Sequence, residues 1–529
     1  MRAREGRGGL ALAAVGCGLL GALLYAPAIS SGRLADDWVL LRTVRRVSGL
    51  AWPFTHNDLG QSSGSGHFYR PLWVLLNAGI YDLSHSPAFA HVVNLLVFAI
   101  VCAEVVVLVG QLAGLGAAVL AGVSIAVFPS HGESVAWISG NTDLLAVALV
   151  LAAILLALRA RPSLRREIGI AALAALAALA KEIATVLPVL MVILLWVTAP
   201  TPRPRGHWRP ALVMLGAVVV VLIPRTLVVG GIGGYGGQPV TPVRVGGAAA
   251  SFLLGGLSAP QLPLLAHPVF LLVPACGLIL LAAGAYVAWR ARGEITGRLA
   301  LAGIAWFLVS LVPVLNQPLN LNTRNGDRLL LLPSVGLAIA AGASIARLRR
   351  PSAVAAWGVV AALCAVSCVL NALDWRTAGS ESRRLLAEID RLAPARGRVI
   401  ALSFPTDYRA THLYPDALDV AVQETGHPHV TVDGCMPVQS LSIRPRQVSF
   451  VPLPGGLWFG QTTTRAPFEV PVLGSSTPPS SGACVFGPAP GQPSETLGTA
   501  LTAFVAPSVP RGGAPVVVYF DGRDMLRAR

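Results

Sequence analysis

GLALAAVGCGLLGALLYAPAISSGRLADDWVLLRTVRR, residues 9–46, is the stretch whose reading decides the fold. The run 9–29 carries no charge and is long enough to cross a bilayer as a helix. A few residues beyond it stand two adjacent carboxylates, Asp36 and Asp37, with Arg33 before them and Arg42, Arg45 and Arg46 after. Two carboxylates at a membrane face are costly unless a partner or a task holds them there. Ala26-Pro27-Ala28 makes a poor signal-peptide cleavage site, so the run reads as a retained first span.

The rest of the chain repeats this character. Of 529 residues, 54% are hydrophobic and 12% charged, about half the charge of a soluble domain. Net charge is +15, nearly all from Arg, and the single lysine is Lys181. In a soluble protein such an excess would point to nucleic acid. Here the Arg clusters flank apolar runs, where cytoplasmic anchoring expects them, so the partner is membrane lipid and not nucleic acid. Cys17, Cys102, Cys276, Cys364 and Cys368 sit in apolar runs as small core residues. Cys435 and Cys484 lie in polar sequence and form a disulfide if that part is extracytoplasmic, or stay two free thiols.

Further apolar runs occur near 87–110, 114–130, 142–159, 168–180, 183–199, 210–229, 268–289, 299–316, 329–346 and 352–372. With the first they predict a polytopic α-helical membrane protein of about eleven transmembrane helices. Segments 71–83 and 246–264 read as interfacial or re-entrant pieces. With the N-terminus cytoplasmic, the inner loops include RARPSLRRE, TPRPRGHWRP, WRARGEITGR and RLRRP, all rich in Arg. Positive-inside alternation is satisfied at nearly every crossing, and an odd count leaves the C-terminus outside. The short runs 168–180 and 183–199 meet at Lys181-Glu182. A broken helix with its apex at the outer face is preferred there over a continuous helix with a buried ion pair.

From about 376 the composition turns soluble. RVIALSF, HVTVDG, RQVSFVPL and APVVVYFDG read as strands, and 381–393 as an amphipathic helix. The expected organisation is therefore a membrane domain, 1–375, and a C-terminal extracytoplasmic mixed α/β domain, 376–529.

This topology gathers polar residues at the outer face. The first outer loop supplies Asp36, Asp37, His56, Asn57, Asp58, Tyr69 and Arg70, and the second span opens with His91 and Asn94. FPSHGESVAWISGNTD supplies His131, Glu133, Asn141 and Asp143, the apex supplies Lys181 and Glu182, and the loop before the tenth span supplies Arg324, Asp327 and Arg328. Cations suit a phosphate, and a carboxylate suits proton abstraction from an attacking hydroxyl. Each residue also has a plainer reading. Asp36 and Asp37 also suit the N-terminus of the following helix. His91 and Asn94, one turn apart, also suit a bond to each other or to a neighbouring span. Lys181-Glu182 also suits a structural anchor, and Arg33, Arg42, Arg45 and Arg46 a solvated or headgroup-facing stripe. A flippase for a lipid-linked glycan and a non-catalytic envelope assembly protein are the rival readings of such a chain.

The segments ADDW, YRPLWVLLNAGIYDL, HVVNLL, FPSHGESVAWISGNTDLLA, ALAKEIATVLP and DRLLLLPSVGLA follow one another in a familiar order. Over roughly residues 9–346 the chain resembles the membrane half of the transmembrane and tetratricopeptide-repeat O-mannosyltransferases and their bacterial relatives. These are GT-C glycosyltransferases, with the protein O-mannosyltransferases as more distant kin. The resemblance implies a GT-C-like fold in a bacterial plasma (inner) membrane. It implies inverting transfer, at the outer face, of a sugar, mannose in the family, from a polyprenyl-phosphate donor. The acceptor would be a protein hydroxyl, glycan or lipid of the cell envelope. Asp36 maps to the general base, with Asp37 as neighbour or second candidate. His131, Glu133 and Asp143, Lys181 and Glu182, and Arg328 map to the remaining motifs. Tyr69, Arg70, His91 and Asn94 complete the expected substrate-binding set. No metal is assigned; if Mg or Mn acts, Asp36, Asp37 and Asp143 are its hard oxygen donors. Two departures stand out. The tetratricopeptide repeats are absent, and Gly140-Asn141-Thr142 precedes Asp143 where the family often has an Arg.

Overall fold

The computed structural model describes residues 2–56, 66–159, 163–198, 206–230, 234–235, 241–257, 269–315, 319, 326–348, 350–405, 407–409, 411–414, 417–438, 448–453, 457–462, 484–488, 503–507, 516–521 and 523–527. Asn57, Asp58 and Arg324 lie outside these, as do the side chains of Cys435 and Cys484.

Among the described residues, six helices are long and apolar enough to cross a membrane: Gly8–Ser30, Pro87–Ala113, Arg209–Val229, Ile295–Val314, Asp327–Leu348 and Pro351–Leu392. Leu115–Ala126 and Pro129–Ala136, bent by 57°, make a seventh if they form one broken span. Shorter apolar helices cover Asn141–Ala157, Glu182–Thr198, Pro242–Leu257 and Gly277–Arg290. The helices fit a multi-pass membrane protein; six or seven of the eleven apolar runs read from the sequence reach full length among the described residues, which does not by itself fix the number of crossings. Breaks keep some of the other apolar helices short. Pro129 cannot continue the helix before it, because proline lacks the N–H and crowds the preceding turn. Lys181 interrupts the next apolar pair with extended backbone (φ −161°, ψ 145°), between the helix Leu164–Ala180 and the 3-10 turn Glu182–Val186. The break expected at Lys181-Glu182 is thus present, and a continuous helix is not.

The chain forms two compact units: Met1–Ser30 with Val44–Leu373, and Ser31–Thr43 with Asp374–Arg529. Segment 31–43, which composition groups with the apolar part, clusters instead with the C-terminal part.

Small residues carry the helix packing of the first unit. Helices Ile295–Leu311 and Leu331–Leu348 cross where Gly303 and Gly336 face each other. A Cβ on either would run into the other's carbonyl oxygen, so only glycine allows this approach. The buried Trp306 indole donates to the Leu332 carbonyl at 2.9 Å in the same interface. That contact positions the start of the helix that follows Arg328.

In the second unit a four-stranded sheet has the order Met525–Arg527, Val516–Phe520, Gly397–Pro405, Val430–Val438. Val516–Phe520 and Val430–Val438 each run parallel to Gly397–Pro405, and the edge strand Met525–Arg527 is antiparallel. Parallel neighbours need a crossover, and helix Leu418–Thr425 lies in it. A second, antiparallel sheet is built from Val448–Leu453, Leu457–Thr462, Ala503–Pro507 and Cys484–Pro488. The four strands expected from sequence are all present. The helix expected at 381–393 is instead the end of one helix, Pro351–Leu392. No proline falls between 352 and 393 to stop it.

Candidate active site

In the first unit the charged residues of four separate motifs meet in pairs. Asp143 opens the helix Asn141–Ala157, and Lys181 follows the end of Leu164–Ala180. Lys181 Nζ lies 2.5 Å from Asp143 Oδ2, with both side chains buried. Beside them the Thr142 hydroxyl donates to the Ala180 carbonyl at 3.0 Å, satisfying a helix-end acceptor that the break leaves open.

Arg70 caps the helix Pro71–Leu83 at its N-terminus, where proline at the first position suits the helix start. Its guanidinium grips Glu182 with both arms, Nη2 to Oε1 at 2.5 Å and Nε to Oε2 at 3.1 Å, while its face covers the Phe68 ring at 4.4 Å. Arg225 stands 3.9 Å from the same carboxylate. Two guanidiniums on one carboxylate concentrate positive charge, which favours an anion nearby. Arg225 was missed in the sequence. Its signal was there: a charge inside the apolar run 210–229, directly after Pro224.

Glu133 lies on the short helix Gly132–Ala136. It accepts from the backbone N–H of Gly326 (3.1 Å) and of Arg328 (3.2 Å) and from Arg328 Nη1 (2.9 Å). Its carboxylate therefore organises the turn before Leu331–Leu348 as well as pairing a cation. Gly326, at φ +98°, takes the left-handed conformation this turn needs. Arg328 stacks over Trp137, 5.3 Å from the ring centre. Gly140 touches the Glu133 carbonyl so closely that a Cβ would collide with it. The glycine preceding the Asp motif is thus explained by packing.

Of the remaining expected residues, one holds backbone. Asn94 donates to the Trp137 carbonyl at 2.8 Å. His131, fully buried, has Nε2 2.9 Å from the Ser334 hydroxyl, which donates onward to Leu331 O at 2.7 Å. With the Ser334 proton directed to Leu331 O, Nε2 is assigned as the donor to Ser334, and Nδ1 has no partner among the described residues. Tyr69 and His91 are buried in the same unit. Asn141 belongs to a polar knot that sequence did not foresee. It accepts from the Trp73 indole (2.6 Å) and donates to Asn77 Oδ1 (3.0 Å). His56 is exposed and stacks on Trp52, a local contact.

Asp36 and Asp37 belong to the second unit. Asp37 begins the helix Asp37–Arg46, is buried, and its Oδ2 accepts from the Leu34 N–H at 3.0 Å. It stands in the first turn of the helix, where its plainer reading put it, but this bond goes back to the backbone before the helix and caps no helix N–H. Asp36 is more accessible and follows Ala35, whose φ of +47° is strained for any residue with a Cβ. Such strain clusters at functional positions. Arg42 is no solvated stripe: it bonds Gln423 Oε1 at 2.6 Å and lies 3.5 Å from Glu424. Arg45, in the first unit, bonds the Tyr81 hydroxyl at 3.1 Å. Among the described residues no three His, Cys, Asp or Glu side chains gather as a metal-binding set.

No protein-family model matches the chain. No curated protein matches it either. Among solved structures it is similar to the oligosaccharyltransferase AglB of Archaeoglobus fulgidus in complex with an inhibitory peptide and a dolichol-phosphate. That match has a TM-score of 0.45 and 12% identity, over 79% of this chain and 64% of that one. ArnT from Cupriavidus metallidurans bound to undecaprenyl phosphate matches with a TM-score of 0.38 and 16% identity, over 80% and 84%. The chain spans about 64% of the length of the archaeal oligosaccharyltransferase.

Proposed function

We propose that the protein is a membrane glycosyltransferase of the GT-C kind. It moves a sugar from a polyprenyl-phosphate donor to an extracytoplasmic acceptor, with its N-terminus cytoplasmic and its C-terminal part outside. The observation that supports this reading is the pairing of motifs far apart in sequence: Asp143 with Lys181, Glu133 with Arg328, and Arg70 with Glu182. Buried charge among apolar helices is expensive and is kept where chemistry uses it.

In the proposed reaction the acceptor hydroxyl attacks the anomeric carbon on the face opposite the phosphate, and the configuration inverts. Asp36 accepts the hydroxyl proton. Asp36 is only partly buried, whereas Asp37 is buried, and this favours Asp36. The C–O bond to phosphate breaks and its electrons leave with the lipid phosphate, a good leaving group. Arg70, Arg225 and Arg328 supply the positive charge that stabilises it, and Lys181 adds to the field. Mannose as the sugar, a cell-envelope acceptor and a role for Mg or Mn belong to the proposal.

The test is transfer in nanodiscs from a panel of radiolabelled polyprenyl-phosphate sugars to envelope extract, for wild type and Asp36→Asn. Transfer from one donor, lost in the variant, is expected. Undiminished transfer by both Asp36→Asn and Asp37→Asn would sink the mechanism.

A further inference from the structure

The loop that bears Asp36 is held by residues of the C-terminal part at three points, two before the acidic pair and one after. Arg383 Nη1 donates to the Ser31 carbonyl at 2.8 Å. Gly379, one helical turn earlier, lies so close to that carbonyl that a Cβ would overlap it. Next, the Ala35 N–H donates to the Leu413 carbonyl at 2.8 Å. Beyond the pair, Arg42 reaches Gln423 and Glu424 at the end of helix Leu418–Thr425.

The holders are themselves fixed. Tyr414, fully buried, donates to the Ser382 carbonyl at 2.7 Å, and its hydroxyl lies 2.5 Å from the Ser382 hydroxyl. That ties the segment carrying Leu413 to the helix carrying Gly379 and Arg383. Ala35, strained at φ +47°, is the residue whose N–H Leu413 captures, so the strain is held from outside the loop.

We infer that the C-terminal part positions the general base: Gly379, Arg383, Leu413 and, through Arg42, Gln423 and Glu424 set the backbone at 31–42, and with it the placement of Asp36. These are positioning residues, and the inference rests on Asp36 being the base. It gives the C-terminal part a task in the chemical step, distinct from recognition of the acceptor.

The experiment uses the full chain in nanodiscs. Gly379→Ala is expected to lower kcat about 10- to 100-fold, as displacement of a reacting group by a fraction of an ångström to an ångström does. KM for the donor stays within about twofold, because the donor phosphate is held by other residues. The midpoint of the acidic limb of the kcat–pH profile moves, which a mere loss of folded protein would not cause. Amide exchange over residues 34–40 becomes faster. Should Gly379→Ala fail to fold, Arg42→Glu, Glu424→Arg and their combination decide: the single variants are impaired and the swapped pair recovers. Wild-type kcat and pH midpoint in Gly379→Ala, or no recovery in the swapped pair, overturn the inference while Asp36→Asn remains inactive. An active Asp36→Asn overturns the general-base reading instead, and the inference falls with it.

Discussion

Lys181 and Asp143 close the far end of a helical hairpin. Asp143 stands at the start of Asn141–Ala157 and Lys181 just past the end of Leu164–Ala180, and their charges meet 2.5 Å apart, out of solvent. The only lysine in the chain is spent on this contact. Removing one partner leaves the other charged and buried. Lys181→Met is therefore expected to destabilise by about 3–5 kcal/mol, and Lys181→Met with Asp143→Leu by less than the two single changes together. Thermal unfolding of the purified protein in detergent measures this; strict additivity would refute the coupling.

Gly140→Ala puts a methyl group into the Glu133 carbonyl. The backbone of the second loop has to move, and Glu133 carries the turn 326–328 with it. A loss of several kcal/mol is expected, on the scale of an overpacked core or more. Expression and unfolding temperature report it. An alanine variant with wild-type stability would show that the loop gives way without cost.

Arg70→Lys keeps the charge but not the fork. The guanidinium makes two parallel bonds to Glu182 and stacks on Phe68, geometry that an ammonium cannot reproduce. Loss of one charge-assisted bond is about 1.5–3 kcal/mol, so transfer should fall by roughly 10- to 100-fold. Equal rates for the two side chains in the nanodisc assay would make Arg70 a point charge only.

Tyr414 supplies a pH test. Burial pushes its hydroxyl above the ordinary tyrosine range, with the Ser382 hydrogen bond and the Arg383 charge opposing. The folded state therefore keeps this proton where the unfolded chain releases it. The contribution is whole below about pH 10 and is lost as pH rises further. Tyr414→Phe has no such dependence, so its stability deficit against wild type should shrink between about pH 9 and pH 11. A constant gap in unfolding temperature across that window would contradict the burial argument.

Which parts were legible in the sequence follows from physics. Apolar runs and Arg placement mark membrane helices because bilayer thickness and leaflet charge act on any sequence, and the strands of the C-terminal part announced themselves by β-branched runs. The break at Lys181 was visible because two charges interrupt an alanine run. Run length alone does not tell how long each helix is, because proline stops a helix wherever it falls, as at Pro129. Arg70 and Glu182 were both selected, yet their pairing depends on tertiary placement. Ser334 and Asn77 carried no signal: a serine or asparagine in an apolar helix looks the same whether it bonds its own turn or a distant histidine. The capture of residues 31–43 by the C-terminal part was invisible because composition reports neighbours in sequence, not in space.

That capture also sets a timetable. Arg42 and its partner Gln423 are 381 positions apart. At roughly 5–20 residues per second, the ribosome needs about 20–80 s after making Arg42 before Gln423 exists. Throughout that interval the loop carrying Asp36 is without these holders. Synthesis that stops before Gln423 would leave the acidic loop without this holder, however early the first apolar helices form.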